Sequence, residues 1–195
     1  MTIQTPPQIL TLVDIFPAPG DWTESEYLQL SDRNLIVELS EGHLEIQPMP
    51  TSFHQIIVTR LTALLYIFAT QAKLGIVSTV PVRLWPGKMR EPDIMFMLNE
   101  HKDRIQDQDW DVPDLAIEVL SPSSVDMDKH TKGNEYARAG IPEYWIIDPE
   151  TKTTDILRLS GGSYQTTAHL TAKDKLTSLT FPGFELSLAE LFAKI

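Results

Sequence analysis

The 195-residue chain contains no cysteine. That removes disulfides and thiolate metal ligands, and it fits a reducing compartment, so a cytoplasmic location is expected. Long apolar runs are also missing. The longest, residues 61–69, is too short for a membrane span and is interrupted by Thr62. The opening MTIQTPPQIL has no basic segment followed by an apolar one, so neither a signal peptide nor a membrane partner is expected. Basic residues are scarce: 16 Lys and Arg face 27 Asp and Glu, for a net charge of −11. A protein that simply coats phosphate backbones would carry the opposite balance. No GxxxxGK[ST], GxGxxG or GxSxG string occurs, which argues against P-loop, nicotinamide and α/β-hydrolase chemistry. The five histidines form no HxxxH or HxH pair, so a zinc site is not expected.

What is present suits one globular domain: 42% of residues are hydrophobic and 22% charged. Residues 1–20 hold Pro6, Pro7, Pro17 and Pro19 and read as an extended arm, leaving 21–195 as the domain. Thr23 and Glu26 form a capping box for a short helix. Residues 35–39 and 43–47 read as a hairpin turning at Glu41–Gly42. A long helix follows from Ser52, with Phe53, Ile57, Leu61, Leu64 and Phe68 as its core face. Residues 76–85 read as one strand turning at Pro86–Gly87, with 94–98 as its return. Further strands are expected at 115–120, 144–147, 154–159 and 164–170. A helix at 126–139 ends at Gly140, and a last short helix is capped by Ser187. The acid-rich stretch 100–114 reads as a solvated connection. The order predicts an α/β fold, a central mixed sheet flanked by helices, with β-rich N- and C-terminal additions.

Glu118 breaks the apolar run LAIEVL. An ionised carboxylate in a core strand costs several kcal/mol unless it is paired. Asp93, after Pro92, opens the preceding strand and can face the same pocket. Two converging carboxylates repel unless a cation lies between them, and magnesium suits one or two carboxylates plus water. Lys132, in the helix after Glu118, can fold back over the strand end. Asp128 and Tyr136 lie one turn to either side of it. Each residue also has a plainer account: Asp93 as a turn cap, Glu118 as the partner of an inert Lys132, Asp128 as a helix cap, Tyr136 as core, and His54 as structural.

The strings EPDI, PDLAIEVLSPSS and DMDKHTKGNEYARAGIPEYWIIDP, with the hairpin VELSEGHLEIQPMP and His54, resemble the Uma-type endonuclease family. That family lies within the PD-(D/E)XK restriction-endonuclease-like superfamily. The resemblance spans roughly residues 22–192. It implies a restriction-endonuclease-like core, a DNA substrate and Mg2+ (or Mn2+) as cofactor. It places Asp93, Glu118 and the Val119 carbonyl on the metal, Lys132 beside the attacking water or the phosphate, and His54 in the pocket. One departure is plain: the superfamily lysine belongs two residues after the glutamate, where this chain has Leu120. The resemblance implies that the lysine has moved to Lys132. Glu41 and Glu45 are lesser candidates. A homodimer fits an enzyme that cuts two strands.

The expected function is thus a magnesium-dependent endodeoxyribonuclease. Arg83, Lys88 and Arg90, the densest basic cluster, are expected to touch the DNA backbone. The net charge and the missing ExK lysine leave a second reading open: a non-cleaving nucleic-acid- or protein-binding module on the same fold.

Overall fold

The computed structural model describes residues 16–31, 37–47 and 49–193. Most of the expected N-terminal arm and the start of the first hairpin strand lie outside the described residues.

Local chemistry sets the first elements. The Thr23 backbone N–H donates to Glu26 at 3.0 Å, and the Glu26 N–H donates to the Thr23 hydroxyl at 3.3 Å. This reciprocal box starts α1 (Glu24–Ser31). Strands β1 (Val37–Ser40) and β2 (His43–Ile46) pair through a turn with φ of 48° at Glu41 and 77° at Gly42. Two left-handed residues match the twist of a tight hairpin. A Cβ at Gly42 would overlap the Gly20 carbonyl, so glycine is required there. Helix α2 (Ser52–Ala72) is capped by Thr51, whose side chain accepts the His54 N–H, and it ends at a left-handed Lys73.

The reading of residues 76–85 as one strand is corrected. β3 (Gly75–Ser78) and β4 (Val82–Trp85) lie in different sheets, separated at Pro81, which has no N–H for a continuous ladder. The strand returning from the Pro86–Gly87 turn is β5 (Lys88–Arg90). β6 (Ile94–Leu98) pairs instead with β3 and with β7 (Leu115–Val119). β7 runs parallel to β8 (Glu143–Asp148), as a strand–helix–strand crossover requires. The connecting segment is a π-helical turn, Met127–Lys132, leading into α3 (Gly133–Ala139). β9 (Thr153–Ser160) and β10 (Ser163–Thr171) complete a mixed six-stranded sheet of order β10-β9-β8-β7-β6-β3. A four-stranded sheet, β2-β1-β5-β4, forms the N-terminal addition. The pair β11 (Lys175–Thr177) and β12 (Glu185–Ser187), followed by α4 (Leu188–Leu191), closes the C-terminal end.

Strand alternation sorts the core into two layers. Ile94, Phe96, Leu115, Ile117 and Val119 face α2, whereas Met95, Met97 and Ala116 face α3. The buried line of α2 is Ile57, Leu61, Leu65 and Ala69; Leu64, expected inside, is 41% exposed. The strict four-residue repeat leaves Leu64 one position short of the buried line. By length and composition α2 could cross a membrane; its buried line packs on the sheet.

Candidate active site

The site forms where β6 begins, β7 ends and the following turn folds back. Ile94 pairs with Ile117, so the next step outward brings Asp93 opposite Glu118. Asp93 Oδ2 accepts the Val119 N–H at 2.8 Å and lies 3.2 Å from His54 Nε2. Glu118 shares the α3-facing side of β7 with Ala116. Its Oε1 accepts from Lys132 Nζ at 3.0 Å and from the Tyr136 hydroxyl at 2.7 Å. Both bonds fall on Oε1.

Lys132 ends the π-helical turn, a geometry that recurs at functional sites. Its ammonium has three carboxylate neighbours: Glu118 at 3.0 Å, Glu38 at 3.1 Å and Asp128 at 3.4 Å. Each of these four residues is at most 5% exposed. His54, Asp93, Glu118, Val119, Asp128 and Lys132 line one cavity of about 90 Å3, together with Ser121 and Ser124. That leaves room for a small ion with several waters.

The electrostatics reflect crowded negative charge. Burial pushes the Glu118 carboxyl well above its usual range; Lys132 opposes this, and Asp128 and Asp93 add to it. Burial also raises Asp128, against Lys132 and a Ser124 hydrogen bond. For Lys132, burial works against the ammonium, but Glu118, Glu38 and Asp128 outweigh it and raise its pKa. For His54, burial likewise opposes the charged form, and Asp93 and the Val119 carbonyl outweigh it, so its pKa rises. His54 Nδ1 is buried without a hydrogen-bond partner.

The structure therefore gathers Asp93, Glu118, Val119, Lys132 and His54. Asp128 and Tyr136 join them as contacts of Lys132 and Glu118. Glu38 was not anticipated, although it has the signal that singled out Glu118: an acid inside an apolar strand, VEL. Its Oε2 accepts from Arg90 at 2.8 Å and Gln47 at 2.8 Å, and its Oε1 accepts the Glu91 N–H at 3.1 Å.

The exposed surface expected of the basic cluster is corrected for Lys88 and Arg90. Lys88 and Arg90 are 4% and 1% exposed, and they point inward. Lys88 Nζ reaches Glu135 at 2.6 Å and Ser40 at 2.7 Å. Arg90 makes a two-pronged contact with Glu135 at 2.7 and 2.9 Å and also holds Glu38 and Glu45. Neither can reach a phosphate backbone in this fold. Arg83 is partly exposed but held by Glu24 and Asp109, each at 3.0 Å, with Trp85 nearby stacked under Arg138 at 4.3 Å. The acid-rich stretch is likewise more than a solvated connection: Asp109 serves Arg83, and Asp114 accepts from the Leu98 N–H and pairs with His101, both at 2.7 Å.

Paired carboxylates and a lysine at the strand ends of a mixed sheet define a restriction-endonuclease-like α/β protein. Residues 24–189 match a family model described as "Uma2: Putative restriction endonuclease", and the chain belongs to that family. Among solved structures it is similar to a "putative nuclease belonging to DUF820" from Anabaena variabilis. The two share 20% identity over 88% of this chain and 97% of the other, with a TM-score of 0.72. At that identity the likeness concerns the fold. No curated protein matches the chain.

Proposed function

We propose that this protein is a divalent-metal-dependent endonuclease that hydrolyses DNA phosphodiester bonds. One observation carries the reading: Asp93, Glu118 and Lys132, far apart in sequence, converge on one small cavity. Family membership supports a nucleic-acid substrate.

The donor set fits Mg2+ or Mn2+. Among the described residues, no three His, Asp or Glu side chains form a ready metal cluster. Magnesium does not need one, because one or two carboxylates with water suffice. Asp93, Glu118 and the Val119 carbonyl would hold it, and a cation there would offset the Asp128 and Asp93 charges that, after burial, raise the Glu118 carboxyl. When bound, such an ion lowers the pKa of a bound water and offsets charge on the phosphate. Lys132 would donate to the attacking water or to a phosphate oxygen at the cavity mouth. His54 fixes Asp93 from the helix side.

A titration with magnesium, followed by calorimetry, tests the reading. Saturable binding to the wild type, lost in Asp93→Ala and Glu118→Ala, is expected. Nicking of plasmid DNA that stops in Lys132→Ala is the expected second result. A protein that binds no Mg2+ or Mn2+, with or without DNA, does not fit a divalent-metal-dependent endonuclease.

A non-cleaving module is the second reading, favoured by one observation: all three carboxylate contacts of Lys132 are made inside the protein. A stable fold with no metal binding and intact DNA or protein binding is its signature. For the enzyme, a homodimer acting in the cytoplasm completes the proposal, checked by sedimentation on DNA and by cell fractionation.

A further inference from the structure

An ammonium has three N–H donors, and Lys132 faces three carboxylates. Of these contacts the one to Glu118 is a hydrogen bond, and Glu38 and Asp128 stand at ion-pair distance. The three acceptors differ in place. Glu118 lines the cavity and carries the function proposed above. Asp128 is on the same turn as Lys132. Glu38 comes from the separate N-terminal sheet and is the only one of the three that does not line the cavity.

Glu38 is itself fully buried and held from the other side. Arg90, Gln47 and the Glu91 N–H bind its two oxygens, and Arg90 is in turn gripped by Glu135. A carboxylate fixed at so many points cannot follow the lysine; the lysine must come to it. We infer that Glu38 is a positioning residue: with Asp128 it anchors the Lys132 ammonium at the edge of the cavity, so that when Glu118 turns to another partner one N–H of Lys132 is released toward the substrate without the side chain moving. This inference rests on the nuclease reading for its catalytic consequence, but not for its structural one.

The rival account makes Glu38 merely the counter-ion of Arg90. Glu135 supplies the control, because it binds Arg90 and Lys88 as strongly and no contact joins it to Lys132. A buried, ordered ammonium exchanges its protons slowly enough to give a proton–nitrogen NMR signal. The Lys132 signal is assigned by its absence in Lys132→Met. Glu38→Gln is expected to lose or broaden it, while Glu135→Gln keeps it. On DNA, Glu38→Gln is expected to lower kcat tenfold or more with KM and Mg2+ affinity close to wild type, and Glu135→Gln to keep the wild-type kcat.

Glu38→Asp retains the charge that Arg90 needs and carries the same NMR test if Glu38→Gln does not fold. It is also expected to recover part of the lost kcat. Equal behaviour of the Glu38 and Glu135 variants, whether both lose the signal or both keep it, overturns the inference. If the wild type cuts no DNA, the nuclease reading fails, and the NMR comparison alone still decides whether Glu38 orders Lys132.

Discussion

Replacing Lys132 by methionine removes the one cation shared by three buried carboxylates and keeps most of the apolar stem. Breaking a buried pair from one side costs about 3–5 kcal/mol, because the remaining charge has no partner. Glu38 keeps Arg90 and Glu118 keeps the Tyr136 hydroxyl, so the loss falls within that range rather than multiplying by three. For a domain of this size, each kcal/mol shifts the melting temperature by about 2–4 °C, which gives a fall of roughly 6–20 °C. The loss should depend on pH. In the wild type, the raised pKa of Lys132 means that its contribution is complete below the unfolded lysine value and is lost only at alkaline pH. In the variant, Glu118 is left with burial and two like charges, which raise its pKa further. An acid raised in the folded state favours folding at low pH, and that benefit disappears as pH rises. The gap between wild type and variant should therefore widen as pH rises above the ordinary carboxylate range. Adding Glu118→Gln should return most of the lost stability, because a neutral amide needs no counter-ion. Thermal and urea unfolding of both singles and the double close this cycle. A Lys132→Met protein as stable as wild type at pH 7.5 would refute the buried ammonium, and so would a double variant no better than the single.

Other perturbations follow from the same network and packing. Arg90→Met should destabilise by about 3–5 kcal/mol in urea, since it takes a buried shared cation from Glu38, Glu45 and Glu135; an unchanged midpoint would return Arg90 to the surface role expected from sequence. Burial raises the Glu135 carboxyl, but hydrogen bonds from Arg90 and Lys88 outweigh this and hold it below its usual value. Its contribution is thus present above the unfolded value and lost as pH falls through the folded one, so wild type and Glu135→Gln should converge in stability below about pH 4.5. A gap that stays constant to pH 3 contradicts that. A Cβ at Gly75 would overlap the Met97 carbonyl and lie 2.7 Å from the Phe96 ring. Gly75→Ala should therefore cost at least about 1–3 kcal/mol by overpacking, read from its melting curve; no change would mean that β3 does not pair with β6 as described.

Much of the fold was legible because its causes are local. The capping box at Thr23, the left-handed turn at Glu41–Gly42 and the glycine stop at Gly140 each act within a few residues. The order of helices and strands follows from such signals and from apolar periodicity. The site was legible for a similar reason: an acid in a core strand must have a partner, and few residues could reach Glu118. Asp93, Lys132 and Tyr136 lie on elements directly before and after its strand.

What the sequence alone settled, then, is most of the helices and sheet-core strands and the identity of the buried acid that needs explaining. What it could not settle is which element each charge meets. Arg83, Lys88 and Arg90 look like an exposed basic hairpin because charge is visible in a sequence and burial is not. Only the packing of the four-stranded sheet against α3 turns Lys88 and Arg90 inward, onto Glu38 and Glu135. The same packing brings Glu38 to Lys132 across 94 residues of chain, a contact no local spacing encodes. It also decides that Leu65, not Leu64, faces the core, because the sheet selects which apolar residues of α2 it covers. The charges of this site were in the sequence; their pairing is a property of the folded chain, because buried ions choose partners by distance in space and not along the backbone.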